Sequence, residues 1–226
     1  MKKIALVNSL GDIFKLLDGA PTWSKELKEK ALERQKNLLK PANSLGQLED
    51  LAVFLSSWGK RTMKDMEKIS SIVFAGNHGV CRQAVNPFPQ EVTFQMVETF
   101  KSGKAAINKI CELNEINLEV IPINLEKPTA DISVGPAMDE MEFVESFNIG
   151  LSAVSESMDL VTLGEMGIGN TTIASALCYH FFNNEVSSWV GPGTGSTRDQ
   201  IIHKGEIIKR AVNTNKQFIE RPLDAG

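Results

Sequence analysis

The sequence predicts an α/β fold: a doubly wound parallel sheet of the Rossmann-like kind, preceded by a small helical accessory segment. Three observations carry that expectation. Residues 69–75 (ISSIVFA), 118–123 (LEVIPI) and 159–163 (DLVTL) are short runs rich in β-forming residues, of the length expected for buried strands. Segments of helical period separate them, and alternation of strand with helix builds parallel sheets. Ahead of the first run only helical periodicity occurs, so residues 1–60 read as the accessory segment and 61–226 as the α/β domain.

Taken in order, Ser24 caps a helix in which Leu27, Ala31, Gln35 and Leu38 recur at three- and four-residue spacing, and Pro41 ends it. A second helix starts at Asn43 or Ser44, with Leu45, Leu48, Ala52 and Leu55 on one face and Gly59 past its end. The apolar faces of the two read as a helix–helix packing unit. The strand at 69–75 ends in Gly76, and helices follow at 91–100 and 105–113. Pro122 is tolerable in the strand at 118–123 only near its end. A helix over 140–158, the strand at 159–163, a helix over 171–182 directly behind it and a last helix over 199–213 complete the pattern. In such a sheet ligands bind beyond the carboxyl ends of the strands, so the residues after each strand are the places to search.

Composition narrows the partners. In 226 residues, 24 Lys and Arg stand against 28 Asp and Glu, a net charge of −4 with no basic run, which argues against nucleic acid or an anionic membrane as the main partner. Cys81, Cys111 and Cys178 are widely spaced and form no CxxC pair, so neither a disulfide framework nor a zinc site is expected and the chain reads as cytoplasmic. The apolar stretch Ile4-Ala5-Leu6-Val7 after Lys2 and Lys3 breaks at Asn8, Ser9, Gly11 and Asp12, too early for a signal peptide. No run reaches the length of a membrane span.

The third strand leads through Gly164-Glu165-Met166-Gly167-Ile168-Gly169-Asn170-Thr171-Thr172 into a helix. Strand, glycine loop and helix N-terminus present backbone N–H groups to a phosphate. The spacing approaches a P-loop, but Asn170 stands where that motif requires Lys. A helix N-terminus alone supplies about half a positive charge, which suits a monophosphate better than ATP, and a P-loop hydrolase is disfavoured. A turn serving only strand-to-helix geometry is the competing reading. A second loop, Gly191-Pro192-Gly193-Thr194-Gly195, follows a β-like run at 188–190, and two such loops could close on one anion, with Lys204 adding a full charge. Lys204 read alone is a solvated surface lysine. His78, just beyond the first strand, is equally a structural or a binding residue; no HExxH accompanies it, and His180 and His203 are isolated, so no metal is expected. Glu165 among glycines beside an anion site needs a polar task, such as holding sugar hydroxyls or tuning a heterocyclic base.

Together these motifs resemble the nicotinate-nucleotide–dimethylbenzimidazole phosphoribosyltransferase family. Pro41-Ala42-Asn43-Ser44-Leu45-Gly46-Gln47-Leu48-Glu49 is similar to the family's SLGRLE segment, Phe74-Ala75-Gly76-Asn77-His78-Gly79-Val80 to its FAGDHGV, and Phe88-Pro89-Gln90-Glu91-Val92-Thr93 with Gln95-Met96 to its YPQEVTxQM. Asp131, Gly135–Met138 (GPAM), the GEMGIGNTT run over 164–172, and Gly193-Thr194-Gly195 follow in order. The resemblance implies transfer of phosphoribose from nicotinate mononucleotide to 5,6-dimethylbenzimidazole, without metal or cofactor, by a homodimer. It implies that Gly167, Ile168, Gly169, Asn170, Thr171 and Thr172, with Gly193, Thr194, Gly195 and Lys204, bind the 5′-phosphate, that Glu165 lies beside ribose and base, and that Asn86, Phe88 and Gln95 line the benzimidazole pocket, with His78 nearby.

The chain departs from the family pattern at Asn77, where an Asp is usual, at Asn86, where a Ser is usual, at Pro192, and at Thr197 and Arg198, which replace an acidic pair. The family's general base is a Glu in a glycine-rich segment toward the C-terminus, and nothing after Gly195 matches it. No catalytic residue is therefore assigned. The expectation is a truncated chain with an incomplete accessory domain that leaves Leu45, Leu48 and Leu55 short of partners, and the alternative is a non-catalytic nucleotide-binding relative.

Overall fold

The computed structural model describes residues 5–59, 67–155, 157–182 and 184–218. Lys2, Lys3 and Ile4, the boundary expected at residues 60 and 61, and the terminal Gly226 lie outside the described residues. The chain divides into two compact units, Leu10–Glu67, and Met1–Ser9 with Lys68–Gly226.

The smaller unit is helical. Its first helix, α1 (Leu10–Asp18), is not anticipated from the sequence and contains Gly11 and Asp12, which end the apolar stretch. Asp12 lies in the first turn, where an acid favours the helix, and pairs with Lys15 at 3.6 Å. Helix α2 (Lys25–Asn37) begins as expected, with Oγ of Ser24 accepting from the Leu27 amide at 3.2 Å. Helix α3 (Gln47–Trp58) begins later than expected, because Asn43 (φ 59°) and Gly46 (φ 55°) turn the chain first. The Lys40–Glu49 pair at 2.7 Å closes that turn, and the same Glu49 accepts from the Leu45 amide at 3.1 Å. The two helices α2 and α3 pack together as expected. Leu45 and Leu48 are exposed, and Leu55 is half-buried.

The larger unit contains β1 (Ile69–Gly76), α4 (Glu91–Lys101), α5 (Ala106–Leu113), β2 (Asn117–Ile123), α6 (Glu140–Ala153), β3 (Leu160–Met166), α7 (Asn170–Phe181) and α8 (Arg198–Asn215). The strands form a three-stranded sheet in the order β2-β1-β3, parallel throughout, with Val73 of β1 opposite Val120 on one side and Gly164 on the other. This is the α/β class that the sequence predicts. Strand β1 is central and largely buried, as its unbroken β-forming run requires. Pro122 sits near the end of the edge strand β2, where its missing N–H is harmless. Helices α4 and α5 bring Met96, Phe100, Ala105 and Ile107 onto Val73, Val120 and Met166. A second core joins α7 and α8 to the 3₁₀ turns at Gly79–Gln83 and Val186–Ser188, through Val80, Ala176, Val186, Ile207 and Ile208.

Three segments differ from the sequence reading. Helix α6 stops at Ala153, short of residue 158. Strand β3 runs on to Met166, because Gly164, Glu165 and Met166 keep register with Val73, Phe74 and Ala75. The run at 188–190 is not a strand: the Trp189 and Val190 amides bond back to the Val186 carbonyl at 3.0 and 3.1 Å, so local turns consume the groups a sheet would need.

Candidate functional site

Strands β1 and β3 are neighbours, and parallel pairing releases their following segments on the same side. Gly76–Gly79 and Gly167–Gly169 therefore lie against each other. A Cβ at Gly167 would stand 2.1 Å from the Gly76 carbonyl oxygen and 2.6 Å from Oδ1 of Asn170, so only glycine fits. Gly169 caps α7 with φ 103°, and a Cβ there would also come within 2.8 Å of Sγ of Cys81. Between them, Ile168 is buried; its N–H donates to Oγ1 of Thr93 at 3.2 Å, and its carbonyl accepts from the Cys81 thiol at 3.0 Å. Nε2 of His78 hydrogen-bonds Oδ1 of Asn170, the first residue of α7.

These bonds decide which amides an anion could use. The Asn170 and Thr172 amides bond back to the Gly167 and Gly169 carbonyls at 3.3 and 2.9 Å. The N–H groups of Gly169 and Thr171 have no acceptor among the described residues. Beside them lies Lys204 of α8, only 2% exposed, whose Nζ donates to Oγ1 of Thr171 at 2.7 Å. Among the described residues no carboxylate pairs with this ammonium. Burial pushes its pKa below the usual lysine range, as a cation without a counter-charge requires. The second glycine loop closes over the same atoms: a Cβ at Gly193 (φ 54°) would lie 3.5 Å from Oγ1 of Thr171 and 3.9 Å from Nζ of Lys204. That loop is shaped by the Gly195 and Ser196 amides, which both bond the Pro192 carbonyl. A helix N-terminus with two unpaired amides, a buried ammonium and a hydroxyl make an anion-binding arrangement.

The structure thus brings His78, Gly167, Ile168, Gly169, Asn170, Thr171, Gly193 and Lys204 together. Thr172 is fully buried behind them, and its Oγ1 has no partner among the described residues. Asn86 joins the cluster by donating to Sγ of Cys81 at 3.2 Å. Phe88, Gln95, Thr194, Gly195 and Glu165 are exposed, and no side-chain hydrogen bond ties them to the cluster among the described residues. Partial desolvation nevertheless raises the pKa of Glu165. Burial lowers that of His78, against the opposing effect of its bond to Asn170. Of the departures, Asn77 donates to the Leu125 carbonyl at 3.0 Å while its Oδ1 is buried without a partner among the described residues, and Thr197 caps α8 by accepting from the Gln200 amide.

Sequence reasoning misses Cys81 and Thr93. The signal for Thr93 is a hydroxyl at a buried position of an amphipathic helix; Cys81 carries none beyond its place after a strand. Among the described residues no cluster of His, Cys, Asp and Glu could hold a metal ion, and no helix is long and apolar enough to cross a membrane.

A family model described as phosphoribosyltransferase matches residues 20–225. Over 206 residues the chain is 44% identical to a nicotinate-nucleotide–dimethylbenzimidazole phosphoribosyltransferase of Rhodobacter capsulatus, covering 91% of this chain and 62% of that protein. It is 45% identical over 193 residues to the Brucella anthropi protein of the same name, covering 85% of this chain and 57% of that one. A crystal structure of the Thermus thermophilus enzyme of this name matches with a TM-score of 0.75 at 29% identity, covering 84% of this chain and 62% of that one. The chain therefore spans about three fifths of the length of these relatives.

Proposed function

The chain belongs to the phosphoribosyltransferase family whose model it matches, and from that premise we propose that it transfers 5-phosphoribose from nicotinate mononucleotide to 5,6-dimethylbenzimidazole, giving α-ribazole 5′-phosphate and nicotinate. The observation that carries this reading is the buried ammonium of Lys204 on Thr171, at the N-terminus of α7, which has no carboxylate partner among the described residues. A buried cation without a carboxylate is costly, and a phosphate supplies the missing charge. Gly169 and Thr171 contribute amides, Gly193 and Gly195 close the loop over the anion, and Thr172, Asn170 and Ile168 support it from behind.

With the phosphate anchored, the sugar lies over the carboxyl ends of β1 and β3. The bond from C1′ to the pyridine nitrogen breaks as the bond from C1′ to a benzimidazole nitrogen forms. The leaving group departs as neutral nicotinate ring nitrogen from a pyridinium, so the sugar needs no pyrophosphate activation, metal or cofactor. Glu165 faces ribose and base in this reading. Phe88 offers an apolar face and Gln95 a hydrogen-bonding edge to the acceptor, beside Asn86 and His78. The acceptor's other nitrogen sheds a proton to a general base, which in the family is a glutamate of a glycine-rich segment; residues 1–226 hold no match to that segment. The departures at Asn77, Asn86, Pro192 and Arg198 favour, as a second reading, a relative that binds the nucleotide without turning it over.

Incubation with both substrates, with chromatographic detection of α-ribazole 5′-phosphate and nicotinate, tests the transfer. Product supports it. Calorimetric binding of nicotinate mononucleotide without product supports the second reading, and absence of both refutes the two together. We further propose residues 1–60 as the accessory segment and 61–226 as the phosphate-binding domain, a cytoplasmic setting consistent with three free cysteines, and a homodimer. The exposed Leu48, Leu51 and Trp58 of α3 support the last; a monomer in analytical ultracentrifugation would overturn it.

A further inference from the structure

Ile168 sits in the middle of the phosphate loop with both of its peptide groups held by side chains from outside the loop. Its N–H donates to Thr93 at 3.2 Å and its carbonyl accepts from Cys81 at 3.0 Å. Thr93 has no exposed surface and lies in the first turn of α4, two residues ahead of Gln95. Cys81 in turn accepts from Asn86. The two segments assigned above to the acceptor base thus reach the phosphate loop through a single residue. Turning the Ile168 N–H toward Thr93 withdraws it from an anion, while the Gly169 and Thr171 amides have no acceptor among the described residues.

We propose that Thr93 is a positioning residue: its hydroxyl sets the conformation of the phosphate loop and ties that loop to the helix carrying Gln95. The proposal rests on the phosphate reading of the site. Thr93→Val keeps the shape of the side chain and removes the acceptor, so a buried N–H loses its partner and the loop relaxes to find another.

Inorganic phosphate titrated by calorimetry into the wild-type chain, T93V and T93S, with thermal unfolding of each, tests this. The expected result is phosphate binding weakened about tenfold in T93V and held within about twofold of wild type in T93S, which keeps the hydroxyl. A lower unfolding midpoint for T93V with unchanged phosphate affinity would show a merely structural role and overturn the proposal. Equal weakening in T93S would assign the effect to the methyl group and overturn it too. If T93V does not fold, T93A against T93S makes the same comparison. Failure of the wild type to bind phosphate would overturn the phosphate reading itself, an arm that involves no variant.

Discussion

The two glycine loops of the larger unit use glycine for different reasons. In the loop after β3, glycine answers crowding first: Gly167 is pressed on the Gly76 carbonyl, and Gly169, which also takes a positive φ of 103°, on Cys81 and His78. In the loop before α8, there is open space around Gly191 and Gly195, and the need at Gly193 and Gly195 is for positive φ. The first loop is held chiefly by what surrounds it, the second chiefly by its own backbone. The first therefore forms a rigid floor, while the second is a cover whose one close approach is at Gly193.

Substitutions can break that contrast. Gly167→Ala should be the most damaging, because its Cβ would meet a backbone oxygen at 2.1 Å. A loss of more than about 3 kcal/mol is expected in urea unfolding, with phosphate binding abolished; mild destabilisation would show that the floor is not rigid. Lys204→Met should weaken phosphate binding by about 100-fold. Because it also removes a buried cation with no carboxylate partner among the described residues, it should leave the phosphate-free protein as stable or about 1 kcal/mol more stable. Unchanged binding together with lower stability would make Lys204 a structural residue. In the cover, Gly195→Ala forces an alanine to φ 115° and should cost about 1–2 kcal/mol. Gly191→Ala meets nothing within 4 Å and should stay within about 0.5 kcal/mol; equal losses at the two sites would erase the distinction.

The smallest effect concerns acid. Burial lowers the pKa of His78 in the folded state from 6.5, so the unfolded chain binds the proton first as pH falls. The folded state then loses stability from about pH 6.5 downward until the folded imidazole also protonates, and that contribution is absent at higher pH. His78→Gln should flatten this part of the profile in urea midpoints measured between about pH 7 and 5. A slope identical to wild type would mean that His78 titrates normally and that the floor is more open to water than its packing implies.

What could be read from the sequence follows from where the signals lie. The strands of the sheet and the helices behind them announce themselves, because β-forming runs and helical period are local. So is the capping of α2 by Ser24. The end of β3 was hidden because Gly164 and Gly167 look alike in sequence, yet the first pairs in the sheet against Val73 and the second turns the chain. The supposed strand at 188–190 shows the reverse error, since β-forming side chains cannot reveal that their amides are spent in a 3₁₀ turn. At the site, the glycines and Lys204 were legible as a pattern, but the partnership of Lys204 with Thr171 spans 33 residues. Nor does spacing show that Ile168 turns its N–H away from the loop's concave side, because Thr93 does that from 75 residues away.

The pairing of β1 with β3 places the contacts between the segments that follow these two strands across a wide stretch of chain, with His78 and Asn170 separated by 92 residues. Closing such long loops is entropically slow and is completed only when the strands have already paired. The cluster around His78 and Asn170 should thus be among the last features to form and the first to come apart. An added phosphate should accordingly leave the refolding rate nearly untouched and act as a brake on unfolding.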